Sequence, residues 1–409
     1  MQVPDSPPPK DAPADDSSNP LRQRGMVVLL ACTAGLAVAN LYYNQPLLPA
    51  MARELGVGPA EIASVTSLTQ LGYGLGILTI APLGDQLERR RMMIVLLALV
   101  ACCLAGIATA TQLWTLGLFS LLMGMNCVLA HVILPYVGQL APPAQRGKLV
   151  GQVMSGVLLG IILARTVSGM VGSWLGWRAV FWMGAANSVC LAVVLASALP
   201  PSRGTGRIGY FQILTSMGRL FWTVPGLREA AFTGAAMFGC FSCFWSTLAF
   251  RLADAPYHLG AREAGLFGLI GALGALAAPL VGQLADKRGP RFVIGVAFAL
   301  CAVAFAILGV WDASMVGLVT GVIVLDLGVQ AAMISNQARI YGLVPGSESR
   351  LNAVYMVGYF TGGALGSKAA AYGWSHARWP GVVAAGLAFV VAGTVAHVAG
   401  AVRSPARTQ

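Results

Sequence analysis

Charge is what this chain lacks most. Only 10% of its 409 residues are Asp, Glu, Lys or Arg, where a soluble domain carries about 25%. With 57% apolar residues, a soluble fold would have far more apolar surface than one or two cores can hide. Acids are the scarcer sign, 15 against 26 Lys+Arg, and there are four histidines. No GxxxxGK[ST] loop is present, which disfavours nucleotide-driven pumping. HExxH and paired intramembrane carboxylates are also absent, which disfavours an embedded enzyme. The eight cysteines lie mostly in apolar runs. Cys240 and Cys243 form a CxxC without a second pair, so neither metal nor redox chemistry is expected. No cofactor is expected. The cations sit in short gaps between apolar runs rather than on one face, so no nucleic-acid partner is expected either.

What the chain has is apolar length and 50 glycines, a residue commoner in membrane helices than in soluble ones. A span takes about 20 apolar residues. Runs near 26–50, 62–83, 92–110, 113–139, 149–172, 179–199, 229–250, 263–284, 292–311, 314–341, 351–372 and 380–401 predict twelve transmembrane helices. Residues 1–25 begin with a Pro-, Asp- and Ser-rich stretch that has no apolar core and reads as a disordered cytoplasmic tail. With an internal N-terminus, 19 of the 26 cations fall on inner segments and five on outer loops. That bias predicts an even number of passes with both termini cytoplasmic, in a plasma membrane, the bacterial inner membrane. Trp114, Trp174, Trp177, Trp311, Trp374 and Trp379 fall at outer helix ends, where an interfacial belt is expected.

The chain reads as two six-helix bundles, 26–199 and 229–401, with a cytoplasmic linker over 200–228 and a short tail, 402–409. Within the linker, Ile208–Trp222 has the pattern of a helix lying on the membrane surface. The halves repeat. Asp286 stands 201 residues after Asp85, Gly358 stands 202 after Gly156, and Trp379 stands 202 after Trp177. A duplicated six-span unit in parallel orientation follows. The glycines of spans two, five, eight and eleven predict small-residue faces at a moving seam between bundles.

Residues 282–291, GQLADKRGPR, carry Gly282, Leu284, Ala285, Asp286, Lys287, Gly289 and Arg291. This stretch resembles the loop signature of the major facilitator superfamily. Its first copy, PLGDQLERRR at 82–91, keeps Asp85 and Arg89–Arg91, with Ala81 and Glu88 where glycines usually stand. YYNQPLLP (42–49) and GWRAVFW (176–182) resemble the bacterial drug- and sugar-efflux branch. That branch usually has an Arg followed by Gln-Gly in span four, where this chain has LLMGMNCVLAH (121–131). Its span-five Gly-Pro is replaced here by Ala164-Arg165. The resemblance implies an all-α membrane carrier that binds a small-molecule substrate and, in this branch, exchanges it for protons. The alternative is an uptake carrier or uncoupled facilitator of a small metabolite, an anionic one being among the candidates. No obligate protein partner is legible, and the lipid bilayer is the expected surrounding.

In the resembled family, Asp85 faces the start of span eleven (347–352), and by the repeat Asp286 faces the start of span five (145–149). An acid at a helix C-terminus is stabilised by a neighbouring helix N-terminus. Asp85, Arg89, Arg90, Asp286, Lys287, Arg288 and Arg291 are therefore expected to form a cytoplasmic gate.

Polar residues inside spans are costly and face a cavity or a partner. In span one, Asn40, Tyr43, Asn44 and Leu47 share one helical face, and Gln45 adjoins it, with a kink expected at Pro46. Asp326, Gln330, Met333 and Gln337 form the polar stripe of span ten. Asn352, Tyr355, Tyr359 and Gly362 form that of span eleven, and Ser242, Trp245, Ser246 and Ala249 that of span seven. These stripes predict the substrate cavity. Asp326 is the proton-coupling candidate, since burial favours its neutral form and a nearby Arg165 its charged form. Arg165 has three readings: it snorkels to the interface, pairs with an acid such as Asp326, or binds an anionic group of the substrate. Lys368 is placed to snorkel, and His131 to pack, with a proton-carrying role as the alternative for His131.

Overall fold

The computed structural model describes residues 24–142, 144–200, 209–275 and 278–403. Side chains of Arg24, Asp85, residues 273–280, Asp286, Ala401 and Arg403 lie outside the described residues. Helices are the only regular elements among the described residues. They are α1 (Arg24–Ala39), α2 (Leu48–Leu55), α3 (Pro59–Thr79), α4 (Arg89–Thr109), α5 (Leu113–Asn126), α6 (Leu129–Leu140), α7 (Arg146–Leu175) and α8 (Trp177–Ala198). After these come α9 (Tyr210–Thr223), α10 (Pro225–Ala253), α11 (Ala261–Ala275), α12 (Ala278–Arg288), α13 (Pro290–Val310), α14 (Met315–Tyr341) and α15 (Glu348–Arg403). Eight helices, counted among the described residues, are long and apolar enough to cross a membrane.

Several apolar runs are broken, each for a local reason. The run 26–50 is helical only to Ala39, then turns through residues 40–44 and a 3₁₀ segment, Gln45–Leu47. Hydrogen bonds there reach back three residues, Leu41 N–H to Val38 O and Gln45 N–H to Tyr42 O. Pro46 has no N–H to continue an α-helix. Between α5 and α6 the Cys127 N–H is shared by the carbonyls of Met123 and Gly124. Inside α15, Ala377 and Arg378 leave helical geometry, with Arg378 at φ 53°. Pro380 has no N–H to donate and its ring clashes with the preceding turn.

The halves pack alike. In the first half α1 lies on α7, α3 on α5 and α4 on α8. In the second, α10 lies on α15, α11 on α14, and α13 on both α14 and α15. Contacts at single residues repeat too. A Cβ on Gly156 would meet Ala31, and one on Gly358 would meet Ala231. One on Gly160 would run into Gly35 O, and one on Gly362 into Ala235 O. The halves meet along two seams, α3 against α15 and α7 against α11.

The glycine expectation needs correcting. Gly72 and Gly76 pack on Leu121 and Met125 of α5, Gly156 and Gly160 on α1, and Gly358, Gly362 and Gly366 on α10. These contacts lie within one half, because backbone-to-backbone approach holds each bundle together. Among the described residues, Gly74, Gly169, Gly265, Gly268 and Gly363 are the glycines that touch across the seams. The tryptophan belt also divides. Trp114, Trp174 and Trp311 are exposed, whereas Trp177, Trp374 and Trp379 are buried. Two of the buried indoles find protein acceptors: Trp177 donates to Glu54, and Trp379 donates to Leu308 O at 2.8 Å.

The linker helix forms over Tyr210–Thr223. Tyr210 Oη donates to Thr79 O at 2.9 Å, and Arg350 Nη1 donates to Ser216 Oγ at 3.2 Å. It thus ties the end of α3 to the start of α15. Met217 is buried, while Phe211 and Trp222 are exposed on its other side, the two-faced pattern of a helix at a membrane surface.

Candidate substrate cavity

A cavity of about 220 Å³ lies between the halves. Tyr42, Tyr73, Ile161 and Arg165 line it from the first half, and Phe241, Asp326, Gln330, Gln337 and Tyr359 from the second. A second cavity of about 540 Å³ adjoins it between Ala81–Pro82 and residues 346–353, beside Met217 of α9. The two share His131 and Leu134, so the route out of the centre runs toward the face that carries α9. On the other side the halves are joined. Thr166 Oγ1 donates to Gly265 O at 3.0 Å, and Gln70 Nε2 to Ser242 Oγ at 3.2 Å. At the level of the cavity itself, Tyr73 meets Phe360 edge-on across the seam at 4.6 Å.

Arg165 is only 4% exposed, so it does not snorkel. Its Nε donates to Gln45 Oε1 at 2.6 Å. The Trp245 ring lies 4.1 Å from the guanidinium carbon, Tyr42 4.6 Å and Phe241 5.8 Å, within cation–π range. Trp245 Nε1 donates to Asp326 Oδ1 at 3.2 Å. Among the described residues no ion pair joins Arg165 to Asp326; Trp245 touches both. Room for the carboxylate comes from Gly271, where a Cβ would collide with Asp326 Oδ2.

The stripe expected in span one is placed differently. Asn40 donates to Ala37 O and Asn44 to Thr69 Oγ1, each at 3.4 Å, and both are buried within the first half. Tyr43 lines a separate groove beside α1, α7 and α8. The tightened turn is the cause. At three residues per turn, positions i and i+3 align, so Tyr42 and Gln45 come to one side and meet Arg165. Tyr42 was missed because the stripe was drawn with a 3.6-residue period. Phe238 and Phe241 were also missed, although they precede Trp245 at i, i+3 and i+7.

Of the other expected cavity residues, Gln330, Gln337 and Tyr359 line the cavity. Gln337 Nε2 donates to Asn352 Oδ1 at 3.2 Å. Tyr355 is fully buried behind Tyr359, with ring centroids 5.9 Å apart. His131 packs against Tyr73 at the junction of the two cavities, and Lys368 is exposed.

The expected gate residues fall into two groups. The side chains of Asp85 and Asp286 lie outside the described residues. The described cations make contacts within their own half. Arg89 donates to Gly84 O at 3.0 Å and to Gln139, and Arg90 to Ala196 O. Arg291 pairs with Glu229 at 2.8 Å, and Arg339 shares that carboxylate. Lys287 and Arg288 are exposed, with Arg288 over the Phe292 ring at 5.4 Å. Glu229, a buried acid at the start of α10, was not singled out in the sequence, although an acid beside a span in so acid-poor a chain was a usable signal.

Two helical halves facing a cavity that holds a few buried polar groups, with few charges and long apolar helices, define a membrane transporter. The sequence profile of the Major Facilitator Superfamily matches residues 30–367; the chain belongs to that superfamily. It is 38% identical over 363 residues to the uncharacterised transporter YgaY of Escherichia coli (strain K12), covering 88% of this chain and 92% of that one. It is 23% identical over 411 residues to a gallate transporter of Pseudomonas putida, covering 88% of each. A crystal structure of a bacterial homologue of the human lysosomal transporter Spinster, inward-facing and unoccupied, superposes with a TM-score of 0.77 at 16% identity. It covers 94% of this chain and 99% of that one, and at that identity the likeness concerns the fold.

Proposed function

We propose that the protein carries a small organic anion together with a proton, by alternating access across a bacterial inner membrane with both termini cytoplasmic. The observation that carries this reading is the placing of Arg165 and Asp326, which face one cavity from opposite halves and touch the same indole without pairing. Buried charges are costly unless compensated. With Asp326 ionised, the empty site holds one charge of each sign and is neutral. An anion alone makes it negative, and a proton on Asp326 alone makes it positive. With both bound it is neutral again. The states able to reorient cheaply through a low-dielectric interior are thus the empty and the doubly loaded ones, which is the condition for coupled movement. Proton-coupled efflux would require proton and substrate to exclude each other. Separate groups on either side of Trp245 favour joint loading instead. The Pseudomonas putida relative, a gallate transporter, is in keeping with an anionic cargo. Asp85 and Asp286 belong to the same proposal as the closure of the inner face.

The test is accumulation of labelled organic acids in proteoliposomes under an imposed pH gradient, alkaline inside. The acid that accumulates is then tried with Asp326→Asn. The expected result is loss of gradient-driven accumulation with counterflow retained. Undiminished accumulation in the variant removes Asp326 from coupling, and accumulation of no acid by the wild type defeats the carrier reading.

A further inference from the structure

We infer that the anion taken by this site is a flat aromatic carboxylate, its carboxylate on the free Nη edge of Arg165 and its ring against the aromatic wall of the cavity. This deepens the carrier reading and rests on it only for the claim that the bound molecule is cargo.

Arg165 makes one side-chain hydrogen bond, from Nε to Gln45 Oε1. Among the described residues neither Nη atom has a hydrogen-bond partner, and Nη2 is wholly buried. Trp245, Tyr42 and Phe241 crowd the guanidinium within 4.1–5.8 Å. With rings packed about it, a further partner is best received in the plane, at the Nη edge. A carboxylate reaching Nη1 makes a charge-assisted hydrogen bond there, and adds the parallel bond to Nη2 once the rings covering that atom shift. A neutral acceptor meets one donor and leaves the charge uncompensated. The nearest described acid does not fill the place, because Asp326 Oδ1 takes the Trp245 N–H instead.

The rest of the wall selects the body of the ligand. Tyr42 and Tyr73 from the first half and Phe238, Phe241, Tyr359 and Phe360 from the second line the same cavity. Phe238 is stacked on Tyr359 at 4.2 Å and on Phe241 at 5.4 Å. Ring faces and edges on both sides suit an inserted ring, by stacking or edge contact. About 220 Å³ is below the range of about 300–1,000 Å³ typical of drug-sized ligands, so the space suits a single ring. Asp326, Gln330 and Gln337 lie on the same wall and can accept from ring hydroxyls. A cationic aromatic is disfavoured by Arg165.

The experiment uses the full chain in lipid nanodiscs and reads saturable quenching of tryptophan fluorescence, checked by thermal shift. The probes are benzoate, 4-hydroxybenzoate and cinnamate, with benzamide, cyclohexanecarboxylate and benzylamine as controls. The expected order puts an aromatic acid first. Benzamide should bind at least about tenfold more weakly, having lost the charge-assisted pair. Cyclohexanecarboxylate should bind more weakly by about threefold or more, having lost the ring contacts. Arg165→Gln should remove the preference for benzoate over benzamide, and Arg165→Lys should keep part of it. Equal binding of benzamide, preferred binding of benzylamine, or no binding of any aromatic acid overturns the inference in the wild-type protein, without recourse to a variant. Binding needs no gradient, so the two proposals fail separately. Aromatic-acid binding without proton-linked accumulation sinks the carrier reading alone. Proton-linked accumulation of a different anion without aromatic-acid binding sinks this inference alone.

Discussion

Gly160 of α7 faces the carbonyl oxygen of Gly35 of α1 so closely that a Cβ would be driven into it. Gly362 of α15 stands in the same relation to Ala235 of α10, and both members of the second pair follow the first by about 200 residues. Without a strong hydrophobic drive between helices in lipid, such close approach is what holds neighbouring helices together.

Gly160→Ala and Gly362→Ala should therefore destabilise the protein by similar amounts, about 1–3 kcal/mol each by overpacking. Gly151→Ala, in open space on α7, should be silent. Thermal unfolding of the three variants in one detergent is the check. A silent Gly362→Ala beside a damaging Gly160→Ala would break the parallel between the halves.

Gly271→Ala addresses the cavity. Its Cβ would collide with Asp326 Oδ2 and sit 3.0 Å from the Trp245 ring. The carboxylate must move away from the indole, so gradient-driven transport should fall at least about tenfold while insertion is unchanged. Transport at the wild-type rate, with normal amounts in the membrane, would show that the Trp245–Asp326 contact is dispensable.

Glu229 serves Arg291 and Arg339 at once, with His397 3.9 Å away. Glu229→Gln should lower stability by about 1.5–3 kcal/mol, the usual worth of a hydrogen bond to a charged group. Adding Arg339→Met should recover part of the loss, because an uncompensated buried cation is then removed. A double variant less stable than the single one would mean that Arg339 is held by something other than this acid.

For the proposed gate, the inner cavity between Ala81–Pro82 and residues 346–353 marks the place where closure must occur. Asp85→Asn should weaken the inner-closed state by about 0.3–1 kcal/mol, a shift of about two- to fivefold toward the inner-open state. Alkylation of a cysteine placed at Ser349, compared with and without the substitution, reads that shift. Unchanged labelling together with unchanged transport would leave Asp85 no role in closure.

The membrane fold was legible from local chemistry. An apolar run of about 20 residues must satisfy its backbone within itself, so it reads as a helix whatever its neighbours are. The repeat was legible because a duplicated packing keeps its glycines: Gly156 and Gly358 stand in one register and touch equivalent helices. Arg165 and Asp326 were legible as residues, since ionisable groups inside apolar runs demand a reason.

How those residues meet was decided by tertiary structure. A 3.6-residue period through Asn40 and Asn44 pointed to the wrong side of the first segment. The turn before Pro46 tightens, and a change of one residue in phase swings a side chain by about 100°. Which tyrosine faces Arg165 thus depended on a local pitch that the apolar run 26–50 does not reveal. The indole between Arg165 and Asp326 could not be read either. Trp245 lies 80 residues after Arg165 and 81 before Asp326, and no periodicity links positions so far apart. The sequence by itself determined where the costly charges are and that they must be answered inside the membrane. The packing of the two halves decided what answers them, because that depends on which surfaces are brought within a few ångströms of each other.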